Sequence, residues 1–250
     1  MNNFNDDIPS KCEEIITWLK DQLQKTETNG FVLGLSGGID SSVVAGLIKK
    51  TAPDHCLGVI MPAGNIASDK EDAVKCAKAL DLPFVEVDLS DYRQQLFEDV
   101  KNVLSEHGTE IRDEKMTRGN IGARLRMTTL YAIGNSLNYL VVGTDNAAET
   151  YTGYFTKYGD GGVDLAPIAH ISKKDVFRMG AYLGVPESII TKPPSAGFFE
   201  DQTDEKEMGV SYDTIDAYLN GETIPEKDKA IIDRLHRISE HKRQLPPRVK

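Results

Sequence analysis

The sequence predicts an α/β fold: a doubly wound, mostly parallel sheet with helices on both faces. Two observations carry this. Short apolar runs alternate with stretches of helical periodicity through the first 144 residues of the 250. The first such run also passes straight into a loop of glycines, serines and an aspartate, "LGLSGGIDSS" (Leu33–Ser42). Strands separated by helices argue for a parallel sheet with right-handed crossovers, covered on both faces.

The elements follow in order. Ser10-Lys11-Cys12-Glu13 fits a capping box, and Ile15, Ile16, Leu19 and Leu23 recur at helical spacing after it. "GFVLGL" (Gly30–Leu35) is a run suited to a strand buried on both faces, and "VVAGLIKK" continues past the loop as a helix. "CLGVIM" (Cys56–Met61) is strand-like and Ala67–Leu80 helical. Pro83–Leu89 is again strand-like, with a long helical region to about Ser105. Asn120–Leu137 has helical character, and "NYLVVGT" (Asn138–Thr144) is a further strand. Beyond Gly153 the pattern weakens. A Gly-rich aromatic loop, "TGYFTKYGDGGVD", precedes a helix capped by Ser172; the stretch "KPPSAGFFEDQTDEKE" has loop composition, and two polar helices follow. With no internal repeat and no linker, residues 1–250 are expected to form one domain.

Composition narrows the function. The net charge is −10 and the isoelectric point near 5.0, which argues against a nucleic-acid-binding surface but not against a locally positive pocket. No apolar run approaches a membrane span, and the polar start "MNNFNDDIPSKCEE" suits neither a signal nor a transit peptide. Cys12, Cys56 and Cys76 are odd in number and widely spaced, as expected of reduced thiols in a cytoplasmic protein.

The glycine-serine loop calls for its own reading. A strand-loop-helix passage of this kind aims backbone N–H groups at the empty head of a helix, where unpaired donors and the dipole favour an anion. Ser36, Ser41 and Ser42 would add hydroxyl donors. A plain turn capped by Asp40 explains one acid and one hydroxyl, not a whole turn of donors behind a buried strand. The spacing is neither that of a Walker A loop nor G-x-G-x-x-G.

"SGGIDSS" resembles the pyrophosphate-binding loop of enzymes that cleave ATP between its α and β phosphates, and implies the adenine nucleotide alpha hydrolase-like fold. Three further stretches are similar to ammonia-dependent NAD synthetase: "GNIGARLRM" (Gly119–Met127), "VVGTDNAAETYTGYFTKYGDGGVDLAPI" (Val141–Ile168) and "EHKRQLPP" (Glu240–Pro247). The resemblance implies a two-step reaction. The nicotinate carboxylate of deamido-NAD attacks the α-phosphate of ATP, and ammonia then displaces AMP from the acyl-adenylate. It implies ATP contacts at Gly34, Leu35, Ser36, Gly37, Gly38, Ile39, Asp40 and Ser41, and at Thr144, Lys173 and Ser195. It assigns Arg124, Lys157, Asp164, His241 and Lys242 to deamido-NAD, and Asp40 and Glu149 to Mg²⁺. In a parallel sheet both acids follow strands that end on the same side, which fits.

Each residue also has an ordinary reading. Asp40 would be a helix cap, Glu149 a solvated acid in a helix's first turn, Thr144 a turn hydroxyl, Arg124 a surface salt-bridge partner, and Lys173 and the basic run around His241 solvated charges. Asp160 would be a turn former; the alternative is that it holds ammonium or removes its proton. Gly122 stands where many relatives carry a longer side chain, "PAGNIASDKED" lacks the glutamines expected near adenine, and no aromatic tail follows "LPPRV". Little more than one helix precedes the loop, so free ammonia is the expected nitrogen source. The resemblance further implies a homodimer with deamido-NAD bound across the interface. A mobile lid is expected over Ser195–Glu207. A thiolating enzyme would need a cysteine pair and a basic RNA surface, and a non-catalytic nucleotide module would have no use for Glu149.

Overall fold

A computed structural model describes residues 7–64, 67–192 and 203–249. Ser195 and most of the expected lid lie outside the described residues. The chain runs α1 (Ile8–Thr26), β1 (Gly30–Gly34), α2 (Ile39–Thr51), β2 (Cys56–Ile60), α3 (Ala67–Ala79), β3 (Phe84–Glu86), α4 (Ser90–Glu106) and α5 (Glu114–Leu137). It continues through β4 (Tyr139–Val141), α6 (Ala147–Thr152), α7 (Lys173–Leu183), α8 (Glu187–Ile190), α9 (Asp204–Met208), α10 (Tyr212–Leu219) and α11 (Glu226–Arg243).

The four strands form one parallel sheet in the order β3-β2-β1-β4. Chain order reverses beside β1, so β1 and β4 border the crevice where an open α/β sheet binds its ligand. Alternation along β1 feeds both layers, because successive side chains point to opposite faces. Phe31 and Leu33 enter a core with α1, α2 and α7, while Val32 packs with Val59, Val141 and Leu130 on the face covered by α5. A third cluster, Ala148, Met208, Val210, Tyr212, Ile215 and Ile232, joins α6, α9, α10 and α11 beyond the end of β4.

Several boundaries depart from the sequence reading. The capping box at Ser10 is not made: α1 begins at Ile8 with Pro9 in its first turn, which puts Ser10 inside the helix, where its hydroxyl donates to Asp7. The Asn120–Leu137 helix starts earlier, at Glu114, because Asp113 caps it by accepting from the Met116 N–H. Asn138 belongs to that helix's left-handed C-cap rather than to β4. Beyond Val141, only an isolated bridge from Val142 to Leu165 prolongs the fourth strand.

Candidate active site

The β1–α2 loop lies at the C-terminal end of the sheet, on the wall of a cavity of about 830 Å³. Gly34, Leu35, Ser36, Gly38, Ile39, Asp40 and Ser41 line it. Gly38 is the N-cap of α2 and offers no side-chain cap, so no side chain covers the N–H groups of the first turn. Gly37 turns away from the cavity with φ +85°, and a Cβ there would lie 2.3 Å from the carbonyl oxygen of Asp69. The loop therefore presses directly on the first turn of α3, a contact only glycine permits. The Ser36 and Ser41 hydroxyls lie 2.9 Å apart and shape the turn. Ser42 is not a ligand donor as the sequence reading expected: it is fully buried and its hydroxyl donates to the Gly38 carbonyl.

Asp40 and Glu149 converge from different elements. Asp40 sits in the first turn of α2, and Glu149 is the third residue of α6, whose N-cap is Asn146. Asn146 makes a reciprocal capping box with Glu149: its side chain accepts from the Glu149 N–H, and its own N–H donates to Glu149 Oε2 at 3.0 Å. The same Asn146 donates through Nδ2 to Asp40 Oδ1 at 2.9 Å, tying the two helix heads together. The ammonium of Lys173, from the first position of α7, lies 2.5 Å from Asp40 Oδ2 and 3.6 Å from Glu149 Oε1. Lys173 is only 3% exposed and does not line the cavity. Burial pushes the Glu149 carboxyl up to about 7, with the Asp40 charge adding to the rise.

The other predicted residues divide into two groups. Thr144, Asp160, Arg124, Lys157, His241 and Lys242 all line the cavity. Asp160 accepts from the Thr156 N–H at 2.9 Å, so it forms the turn while still facing the cavity. Lys157 donates to the His241 carbonyl, and Lys242 donates to the carbonyls of Gly153 and Phe155 at 2.8 and 2.6 Å. These bonds dock the end of α11 against the Gly-rich loop. Gly153 makes the approach possible, with φ +70° and space for its missing Cβ taken by Ser239. Asp164 stands outside the cavity lining. It is exposed, and its carboxylate accepts from the Val141 N–H at 2.8 Å and the Tyr131 hydroxyl at 3.0 Å. At Gly122 a Cβ would meet the Cδ of Arg93 at 3.4 Å, so Arg93 takes up the space of the longer side chain.

Sequence reasoning missed Asp145, Asn146, Arg126 and Tyr212. Asp145 lines the cavity between Asp160, Glu149 and Asp40, and burial with those charges holds its carboxyl well above the usual range. Arg126 also lines it, donating through Nε to the Met61 carbonyl at 3.1 Å, and desolvation lowers it to about 10. Tyr212, 63 residues from Glu149, donates to its carboxylate at 2.8 Å. Only Asn146 had a readable signal, the N-x-x-E spacing of "NAAE".

A loop of phosphate-binding type, two acids around one cation and a basic α11 terminus meet in this cleft. Comparison with known proteins agrees. The NAD synthase family model matches residues 11–246. An NH₃-dependent NAD⁺ synthetase of Alkaliphilus metalliredigens is 49% identical over 96% of this chain and 98% of its own length. Among solved structures, an NMN synthetase from Francisella tularensis superposes with a TM-score of 0.91 at 36% identity, covering 98% of this chain and 99% of that one. An NH₃-dependent NAD synthetase from Campylobacter jejuni, solved with a nitrate ion, gives 0.79 at 26% identity, covering 98% and 100%. The chain belongs to the NAD synthase family and is an enzyme of the ligase class.

Proposed function

We propose that the chain amidates deamido-NAD to NAD with ammonia and ATP, through an acyl-adenylate, releasing AMP and pyrophosphate. The observation that carries the reading is the meeting of Asp40 and Glu149 around a single cation beside the uncapped head of α2. A carboxylate is a poor acyl donor, whereas its mixed anhydride with AMP has a good leaving group. The α2 head and the Ser36–Ser41 turn hold the departing pyrophosphate.

The two acids fit Mg²⁺. No cluster of three or more metal-ligating side chains occurs among the described residues, and Mg²⁺ is commonly held by one or two carboxylates plus substrate phosphates and water. When bound, the metal would neutralise charge developing on the phosphate oxygens. Lys173 pairs with both acids and so sets their spacing. Thr144 and Ser195 complete the ATP contacts. Arg124, Lys157, His241 and Lys242 line the cavity and receive the second polyanion, and Asp164, outside the lining, joins them in binding it. Asp160 holds ammonium or takes its proton.

Residues 1–250 act as one catalytic domain, and the enzyme works as a cytoplasmic homodimer. Supporting the dimer, Tyr92, Leu96, Val100 and Val103 are exposed at helical spacing along α4, and Phe84 and Val85 are exposed on the edge strand β3. Among the described residues no helix is long and apolar enough to cross a membrane.

The test is to incubate the protein with ATP, Mg²⁺, deamido-NAD and ammonium, and to look for NAD and AMP together. ADP as product, or no turnover, would overturn the reading; efficient use of glutamine in place of ammonium would overturn the nitrogen source. Because the F. tularensis relative is described as an NMN synthetase, nicotinate mononucleotide belongs in the same assay as a rival acyl substrate. Deamido-NAD is expected to have the higher kcat/KM.

A further inference from the structure

Tyr212 joins Glu149 to a chain of hydroxyls and acids that reaches the cavity at Asp204 and Tyr154, and the proposed reaction gives none of these three residues a role. Tyr212 is the first residue of α10 and only 4% exposed. Its hydroxyl lies 2.8 Å from Glu149 Oε1 and 2.9 Å from Asp204 Oδ2. Asp204 opens α9 and is also contacted by the Tyr154 hydroxyl at 3.2 Å.

The ring of Tyr212 is fixed from three sides. Its backbone N–H donates to Glu205 of α9 at 2.9 Å, Ser211 caps the helix it begins, and the ring packs in the third apolar cluster. The ammonium of Lys173 stands 4.6 Å from the ring centroid. So oriented, the hydroxyl has little freedom to leave Glu149.

A tyrosine hydroxyl carries one proton, so its two carboxylate contacts are not interchangeable. Asp204 also has the Tyr154 hydroxyl at 3.2 Å, but that hydroxyl lies closer to Glu207 Oε2, at 2.6 Å, so the shorter Tyr212 contact, 2.8 Å to Glu149, marks where its proton goes. Glu149 Oε1 has only the Lys173 ammonium, which stays at 3.6 Å because Asp40 holds it at 2.5 Å. Glu149 Oε2 is already served by the Asn146 N–H. With one donor on each oxygen, the plane of the carboxylate is fixed, and each oxygen keeps a lone pair for a cation beside Asp40.

We infer that Tyr212 is a positioning residue for the cation site: its hydroxyl aims Glu149 at the metal and fastens α9 to that carboxylate. It does not line the cavity, so it acts through Glu149 and not on substrate. The inference rests on the assignment of Asp40 and Glu149 to Mg²⁺ made above.

The experiment is a Mn²⁺ titration followed by electron paramagnetic resonance, with ATP present, on wild type, Glu149→Gln, Tyr212→Phe and Asp204→Asn. Tyr212→Phe removes one oxygen and keeps the ring, so the packing of α10 is retained, and a melting curve checks it. The expected result is a roughly tenfold weaker Mn²⁺ midpoint, the usual effect of losing an outer-shell partner. The Mg²⁺ concentration for half-maximal synthesis should rise in step, while the KM for ammonium stays put. Asp204→Asn should retain near-wild-type binding, because its amide donates to the tyrosine oxygen and leaves the hydroxyl proton on Glu149. A Tyr212→Phe titration that superposes on wild type would overturn the inference while Glu149→Gln, binding poorly, leaves the metal site standing. Equal losses in Asp204→Asn and Tyr212→Phe would also overturn it, by placing the effect at α9. Unchanged Mn²⁺ binding in Glu149→Gln would remove the metal site itself, and the role of Tyr212 with it.

Discussion

The two halves of the site are held in place by different physics. The β1–α2 loop is set by apolar packing: Phe31, Leu33, Leu35, Val43, Val44 and Leu47 are buried on either side of it, and glycine lets it press on α3. The wall made by α6, α7, α10 and α11 has apolar packing behind it too, but its ends at the site are set by polar contacts over long sequence distances. Asn146, Lys173, Tyr212 and Lys242 each tie one helix end to another. The first half should tolerate loss of charge and resist added volume. The second should do the opposite, since its side chains pay for their burial only while their partners remain.

The strongest way to test that contrast is at the seam where the halves meet. Asp40→Asn or Glu149→Gln should lower the rate of synthesis by roughly 100-fold or more, because charge on the phosphate oxygens loses its compensation. Both proteins should still melt cooperatively, since the apolar frame does not depend on them. Near-normal turnover in either would remove that residue from the cation site.

Gly37→Ala probes the apolar half by volume alone. With φ at +85° and the carbonyl of Asp69 only 2.3 Å from an added Cβ, the substitution should cost about 1–3 kcal/mol of stability and weaken ATP binding. An alanine protein with the wild-type melting temperature would show that the loop is free to move off α3.

The same contrast separates what was legible in the sequence from what was not. The sheet was legible because periodicity is a local signal: the alternation of Phe31, Val32 and Leu33 between two cores, and the abrupt glycines after Gly34, need no knowledge of distant residues. The convergence of Asp40 and Glu149 followed from strand parallelism. Element ends were less legible, because caps compete: Asp7 and Pro9 displaced the capping box expected at Ser10, and Asp113 started α5 early. Ser42 looked like a ligand donor, yet it is fully buried outside the cavity lining, and its hydroxyl, like that of Ser41, bonds back to the Gly38 carbonyl. Tyr212 was beyond reach, because nothing near "SYD" in sequence announces a partner 63 residues away. Lys173 was visible as a cation, but not as one held by both acids.

Acidity sharpens the comparison next. Burial and Asp40 raise Glu149 to about 7 in the ligand-free protein, well above an unfolded glutamate. The folded state therefore binds the proton more tightly than the unfolded state. Between pH of about 4.5 and about 7 it carries more protons, so this group's contribution to stability falls as pH rises through that window. Asp204, raised by burial, acts in the same direction. The expected loss is on the order of 1 kcal/mol, visible as a declining melting temperature without ligand, and Glu149→Gln should flatten it. A melting temperature that climbs steadily from pH 5 to 7, in wild type and variant alike, would place the titrating groups elsewhere.

The smallest expected effect comes from the apolar half. Cys12, Cys56 and Cys76 all sit in the core shared by β1, β2 and the helices on that face. Burial pushes the Cys12 thiol up to about 11 and raises the other two, so almost no thiolate is present at neutral pH. A disulfide reagent such as dithionitrobenzoate should find no fast-reacting thiol in the native protein and three after denaturation. Reaction with native protein then proceeds only as fast as the sheet layer opens, and ATP should slow it if the loop after β1 is what the nucleotide clasps. A cysteine that reacts rapidly while the fold stays intact would mean that this layer opens locally under native conditions. The phosphate loop would then stand on a mobile support, and the division between an apolar frame and a polar wall would not hold.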